Sequence, residues 1–279
     1  MEDPVSSPSA RTLTATVIAV VSPDTRQAAV ESLASLAAIS GIRPVIVTLG
    51  QLRDAGRTDE GSAIVIDGLV PRYLNNAVAS LRLSSLPTLA WWRAGDPRGL
   101  HDLASLVDRV VIDLDDPSES WSIVPEIAPL AAVSDLRWGR LTRWRDLLAQ
   151  FCDMPEVRAS LTSFERLEIT GSDSHDARLL GGWLKARLPH GERLEVTASS
   201  TAGARLLAAV LAGPQGTLAV RLLSNGTCLE TSVEMKSGHA SSRVVALGDQ
   251  RMVALLGEEL RVRSRDLAFE DAVREAGQL

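Results

Sequence analysis

Between Thr12 and Leu114 the chain alternates short β-branched or aliphatic runs with segments of helical spacing, and few folds accommodate that rhythm. TLTATVIAVV (12–21), RPVIVTLG (43–50), SAIVID (62–67), LPTLAWW (86–92) and RVVIDL (109–114) read as strands. Between them, SPDTRQAAVESLASLAAIS, PRYLNNAVASLRL and GLHDLASLV read as helices. The first of these opens with helix-start grammar: Ser22 as cap, Pro23 at the first helical position and Asp24 in the first turn. Strands this apolar need cover on both faces, and joining them through helices implies parallel crossovers. The pattern predicts a Ser/Pro-rich flexible tail over 1–11, then an open, mostly parallel α/β domain over 12–135.

After DDPSES (115–120) and the prolines at 125 and 129, the texture changes. LTRWRDLLAQFC (141–152) has the spacing of an amphipathic helix, FERLEIT (164–170) of a strand, DSHDARLLGGWLKARL (173–188) of a helix and ERLEVTAS (192–199) of a strand. GPQG and SNGT turns frame TLAVRLL and CLETSVEM as hairpin strands, while ARLLAAVLAG (204–213) is ambiguous by composition. SRVVALG (242–248) and helices at 249–260 and 266–276 complete a second, α+β domain over 136–279, with an antiparallel meander.

A Rossmann-like first domain raises the question of a dinucleotide. The first strand–helix turn, VVSPDTR, has no glycine to admit a pyrophosphate, and Asp24 puts a negative charge where the phosphate would sit. Neither a GxxxxGK[ST] loop nor a G-x-S-x-G elbow is present. The expectation is a chain with no cofactor. The net charge of −6 argues against a general nucleic-acid or acidic-membrane surface. No apolar run approaches the ~20 residues that span a bilayer, and the N-terminus lacks the apolar core of a secretory signal, so the chain reads as soluble and cytoplasmic.

Candidate chemistry is sparse. Cys152 and Cys228 are far apart and read as buried, inert thiols. In GSDSHD (171–176), Ser172 or Asp173 is expected to cap a helix, leaving His175 and Asp176 solvated in its first turn rather than holding a metal. ASSTAGAR (198–205) reads as a turn before it reads as an anion cradle. Neither a catalytic set nor a metal site is expected.

The tryptophans are the exception. There are six, against one tyrosine and three phenylalanines, and they keep company with arginine: Trp92 with Arg93, Trp138 and Trp144 with Arg137, Arg140, Arg143 and Arg145. Trp and Arg are enriched at protein-binding hot spots. Strand alternation would bury Trp91 and turn Trp92 outward. Trp92, Arg93, Arg140, Arg143 and Arg145 are therefore the candidate partner contacts, with Trp91 and Trp144 as core supports.

LPTLAWWR, a helix, DRVVID (108–113) and DLRWGRLTRWRDLLAQFCD (135–153), in that order, resemble the OpcA family, known as glucose-6-phosphate dehydrogenase assembly proteins. RPVIVTL and the closing RDLAFEDAVREA (265–276) sit where that family has similar segments. The resemblance implies a non-enzymatic partner that binds glucose-6-phosphate dehydrogenase and favours its active oligomeric form, in the oxidative pentose phosphate pathway. The family's redox control through cysteines is not carried over to a chain with two. The competing reading is a small α/β enzyme or sensor for a sugar phosphate, with His175 as acid/base and ASSTAGAR as anion site.

Overall fold

The computed structural model describes residues 12–50, 56–60, 63–171, 174–199, 206–262 and 264–279. The chain forms two compact units, Met1–Val110 and Val111–Leu279.

The first unit runs β1 (Ala15–Val21), α1 (Arg26–Ile39), β2 (Ile42–Leu49), β3 (Gly56–Glu60), β4 (Ala63–Leu69), α2 (Leu74–Leu81), β5 (Thr88–Trp92) and α3 (Pro97–Ala104), and ends within β6 (Arg109–Ile112). Every residue of β1 is buried, as its β-branched run requires of a central strand. It pairs in parallel with β2 on one side and β5 on the other, and β2 pairs in parallel with β4. A short 3-10 turn at Pro23–Thr25 leads into α1, where the Thr25 hydroxyl accepts the Ser22 N–H at 3.1 Å. The predicted strand 62–67 and helix 71–83 appear as β4 and α2, with a 3-10 turn at Pro71–Tyr73 before α2.

Sequence reading missed β3. It carries the polar run GRTDE, pairs antiparallel with β4 and ends the sheet. An edge strand needs no apolar face, and polar edges guard against unwanted pairing, so no hydrophobic period announced it.

The second unit continues through α4 (Ser118–Ser122), α5 (Val124–Ile127), β7 (Ala132–Asp135), α6 (Leu136–Arg140), α7 (Thr142–Phe151) and α8 (Pro155–Arg158). It goes on with β8 (Arg166–Thr170), α9 (Ser174–Arg187), β9 (Glu195–Ser199), β10 (Ala208–Gly213), β11 (Gly216–Leu222), β12 (Cys228–Met235), β13 (Ala240–Ala246), α10 (Met252–Arg261) and α11 (Leu267–Ala276). The first sheet has seven strands in the order β3-β4-β2-β1-β5-β6-β7, mostly parallel, where five were expected. Its last strand, β7, is four residues long, too short for a periodic signal. The compact units divide inside β6, between Val110 and Val111.

The second sheet has the order β13-β12-β11-β10-β8-β9. β10 to β13 form the expected antiparallel meander, and the ambiguous segment 204–213 supplies β10. β8 and β9 pair in parallel across α9. Leu167, Ile169, Ala209, Leu211, Leu218, Val220, Leu229 and Val233 are buried, and the register places all of them on one face. The fold class is thus α/β with a second, mixed sheet.

Candidate functional site

Asp135 closes β7 and starts α6, and its carboxylate does both jobs. Oδ1 accepts the Arg137 N–H at 2.8 Å, capping α6, and Oδ2 accepts Trp121 Nε1 at 2.8 Å. The group is fully buried, and burial raises its pKa to about 6. The Arg137 charge and the two N–H donors oppose that rise, while Asp113 adds to it. The Arg137 side chain reaches back to the end of β6: Nη1 donates to Leu114 O at 2.6 Å and Nη2 to Asp115 O at 2.9 Å. Its Nε lies 3.4 Å from Asp176 of α9. One arginine therefore ties the ends of two strands to the first turn of a helix.

Beside this network a cleft of about 270 Å³ opens among Arg140, Leu141, Trp144, Asp176, Leu206, Leu222, Leu247 and Gln250. Its walls are leucine and tryptophan, and its polar groups are a guanidinium, a carboxylate and an amide. That mixture, apolar with a few convergent polar groups, is typical of binding clefts. Arg140 is held only loosely, 3.9 Å from Asp113, with 36% of its side chain exposed.

The sequence-based candidates fare unevenly. Trp91 and Trp144 are buried, as expected. Trp92 is not turned outward: it is as fully buried as Trp91, because both faces of a central parallel strand are covered. Arg93 is half-buried, with its guanidinium 4.9 Å from the centre of the Trp91 ring. Arg145 does not face outward either; it lies 3.3 Å from the Trp138 ring centre and donates to Trp138 O and Thr142 Oγ1. Burial lowers its pKa to about 10, against the nearby charges of Asp266, Asp146 and Glu259. Arg143 is half-buried, its Nε donating to Ala246 O at 3.1 Å. Of the five, the structure brings Arg140 alone into the cleft.

His175 and Asp176 overturn the expectation of a solvated first turn. His175 Nε2 lies 3.1 Å from Asp116 Oδ1 and 3.3 Å from Ser118 Oγ, and its ring packs edge-on to Trp121 at 5.9 Å. Both partners meet the same ring nitrogen, whereas a Ser–His–Asp relay needs one on each. The expected caps Ser172 and Asp173, and residues 200–205 of the ASSTAGAR stretch, lie outside the described residues. Sequence reading missed the roles of Asp113, Asp135 and Arg137; the one signal available was that each directly follows or flanks an apolar strand.

Cys152 and Cys228 are free and half-buried rather than buried. Burial, reinforced by Asp153, raises the Cys152 thiol above its ordinary value, which disfavours the thiolate. Among the described residues no group of three or more His, Cys, Asp or Glu is placed to hold a metal ion, and no helix is long and apolar enough to cross a membrane.

A family model described as the C-terminal domain of a glucose-6-phosphate dehydrogenase subunit matches residues 131–273, more than half of the chain and every residue lining the cleft. The chain belongs to the OpcA family. The OxPP cycle protein OpcA of Nostoc punctiforme is 31% identical over 124 residues, covering 41% of this chain and 27% of its own. That of Synechococcus elongatus is 30% identical over 120 residues, covering 40% and 27%. The matched segment thus spans about a quarter of the length of these OpcA relatives.

Among solved structures, the aldose-aldose oxidoreductase of Caulobacter crescentus has a TM-score of 0.49 at 9% identity, covering 95% of this chain and 98% of that one. A super-repressor mutant of Gal80p from Saccharomyces cerevisiae has a TM-score of 0.49 at 9% identity, covering 89% and 83%. Similarity of that grade says nothing about what the OpcA-family chain does.

Proposed function

We propose that this OpcA-family protein serves the oxidative pentose phosphate pathway as a non-catalytic partner of glucose-6-phosphate dehydrogenase, binding it and favouring its active oligomeric form. The observation that carries this reading is the match of residues 131–273 to a family described as part of that dehydrogenase. The surface chemistry agrees with it: Arg140 of α6 lines a cleft walled by Trp144 and leucines, and Arg143 follows in the first turn of α7. Arg140 and Arg143 are the proposed contacts, while Arg93 and Arg145 stack on Trp91 and Trp138 and support the fold. Activation by such a partner is a population shift. The protein moves the dehydrogenase between states only by the difference in its affinity for them, and a tenfold shift requires about 1.4 kcal/mol.

The test is a dehydrogenase assay following NADP reduction across glucose 6-phosphate concentration, with and without this protein, paired with co-elution. The expected result is a raised rate or a lowered apparent KM, lost with the Arg140→Glu/Arg143→Glu variant. No effect and no co-elution would remove the reading. Full activation by the variant would move the contacts elsewhere.

A further inference from the structure

Trp92 closes β5, fully buried, yet its indole N–H finds no hydrogen-bond acceptor among the described residues. A buried donor left without a partner loses its hydration for nothing, and such groups are rare in native interiors. The Oδ1 atom of Asn75, at the start of α2, is in the same position: buried as an atom, with no partner among the described residues. Both residues line one cleft of about 240 Å³. The six-membered edge of the indole meets its wall: a Cβ built on Gly95, which also lines the cleft, would lie 2.4 Å from both Trp92 Cη2 and Cζ2, and 3.4 Å from Cε2, the ring carbon bonded to Nε1.

The cleft is placed where the first sheet is suited to hold a ligand. Leu49 ends β2 and Trp92 ends β5, while Pro71 to Asn75 and Gly95 to Gly99 lead into α2 and α3. This is the carboxyl end of parallel strands, where open α/β sheets bind small molecules. It is a different place from the glycine-free turn after β1 that argued against a dinucleotide.

Charge narrows the class. Arg72 and Arg98 line the cleft from the two helix starts, and both are exposed. Arg98 makes no ion pair with any described residue, and Arg72 rests 4.8 Å from the Tyr73 ring centre. Of the two carboxylates in the lining, Asp96 is occupied as the cap of α3, its Oδ1 accepting the Gly99 N–H at 2.7 Å, and Asp102 lies 3.7 Å from His101. We infer that the Trp92–Asn75–Arg98 cleft binds a small hydroxylated oxyanion, a phosphate ester or a carboxylate. The oxyanion lies against Arg72 and Arg98, one ligand oxygen accepts the Trp92 N–H, and one ligand hydroxyl donates to Asn75 Oδ1. This site stands independently of the dehydrogenase reading.

The test follows the Trp92 indole N–H by nuclear magnetic resonance in the full chain labelled with nitrogen-15 at tryptophan. Trp92→Phe assigns the resonance, and contact of the Trp92 ring with Gly95 assigns it independently should that variant not fold. Glycerol 3-phosphate, gluconate and glycerol are each titrated to about 10 mM. The expected result is movement of the Trp92 resonance with glycerol 3-phosphate or with gluconate, which separates the phosphate from the carboxylate source. Glycerol leaves it in place. Arg98→Gln and Arg72→Gln, both at exposed positions, should weaken binding at least about tenfold each while the other indole resonances stay put. A Trp92 resonance unmoved by all three compounds, moved equally by glycerol, or moved as strongly in the Arg72→Gln/Arg98→Gln variant would overturn the inference.

Discussion

Trp92 and Arg145 show how little a residue's type says about which way it points. Tryptophan and arginine are typical of binding surfaces, but here the Trp138 ring holds Arg145 and the Trp91 ring holds Arg93. One close neighbour of the buried Trp92 ring is Gly95. Gly95 has φ +124°, outside the range side chains tolerate, and an added Cβ would meet Trp92 Cη2 and Cζ2 at 2.4 Å. Gly95→Ala is therefore expected to destabilise the protein by about 3 kcal/mol, combining backbone strain with overpacking. Urea unfolding followed by tryptophan fluorescence measures this, and an unchanged midpoint would contradict it.

Among the elements, long periodic segments were legible and short or polar ones were not. β1, α1, β2, β5, α7, β8, α9 and the β10–β13 meander follow from apolar spacing and turn residues, because those signals are local. β3 is polar, β7 is four residues long, and α4, α5 and α6 are at most five residues each, so none repeats a pattern often enough to be read. How helices meet was equally hidden. Gly182 of α9 faces α11 so closely that a Cβ there would lie 2.3 Å from Ala272 O and 2.7 Å from Ala276 N. Both obstacles are backbone and cannot rotate away. Gly182→Ala should push the two helices apart at a cost of about 3 kcal/mol. A lowered melting temperature with retained helix content by circular dichroism is the expected result; a melting temperature equal to that of the native protein would refute the close contact.

For the whole molecule, Asp135 writes its position into the pH dependence of stability. With a native pKa of about 6 against 3.8 for the free carboxyl, the folded state holds more protons than the unfolded chain between those values. Its contribution to stability therefore falls as pH rises through that window, by roughly 3 kcal/mol. Asp67 has the opposite sign: burial raises its pKa, but hydrogen bonds from Arg26 and Thr48 outweigh this and lower it, so its contribution is lost on acidification. The Asp135 effect is thus best read as a difference. Asp135→Asn removes the titrating group, and its single carbonyl oxygen can keep only one of the two N–H donors, at a cost common to both pH values; relative to the native protein it should therefore be less destabilised at pH 7 than at pH 4. Urea unfolding at the two values checks this, and parallel pH profiles would rule it out. What the amino-acid order determined by itself was the alternation of strands and helices, the second sheet's meander and the family resemblance, since each rests on neighbours within a few positions. Only tertiary structure decided that Trp92 is inside, that Arg137 joins β6 to α9, and that Trp138 donates to an aspartate, Asp266, 128 positions away. Burial and charge pairing are set by residues distant in the chain, and no local pattern carries them.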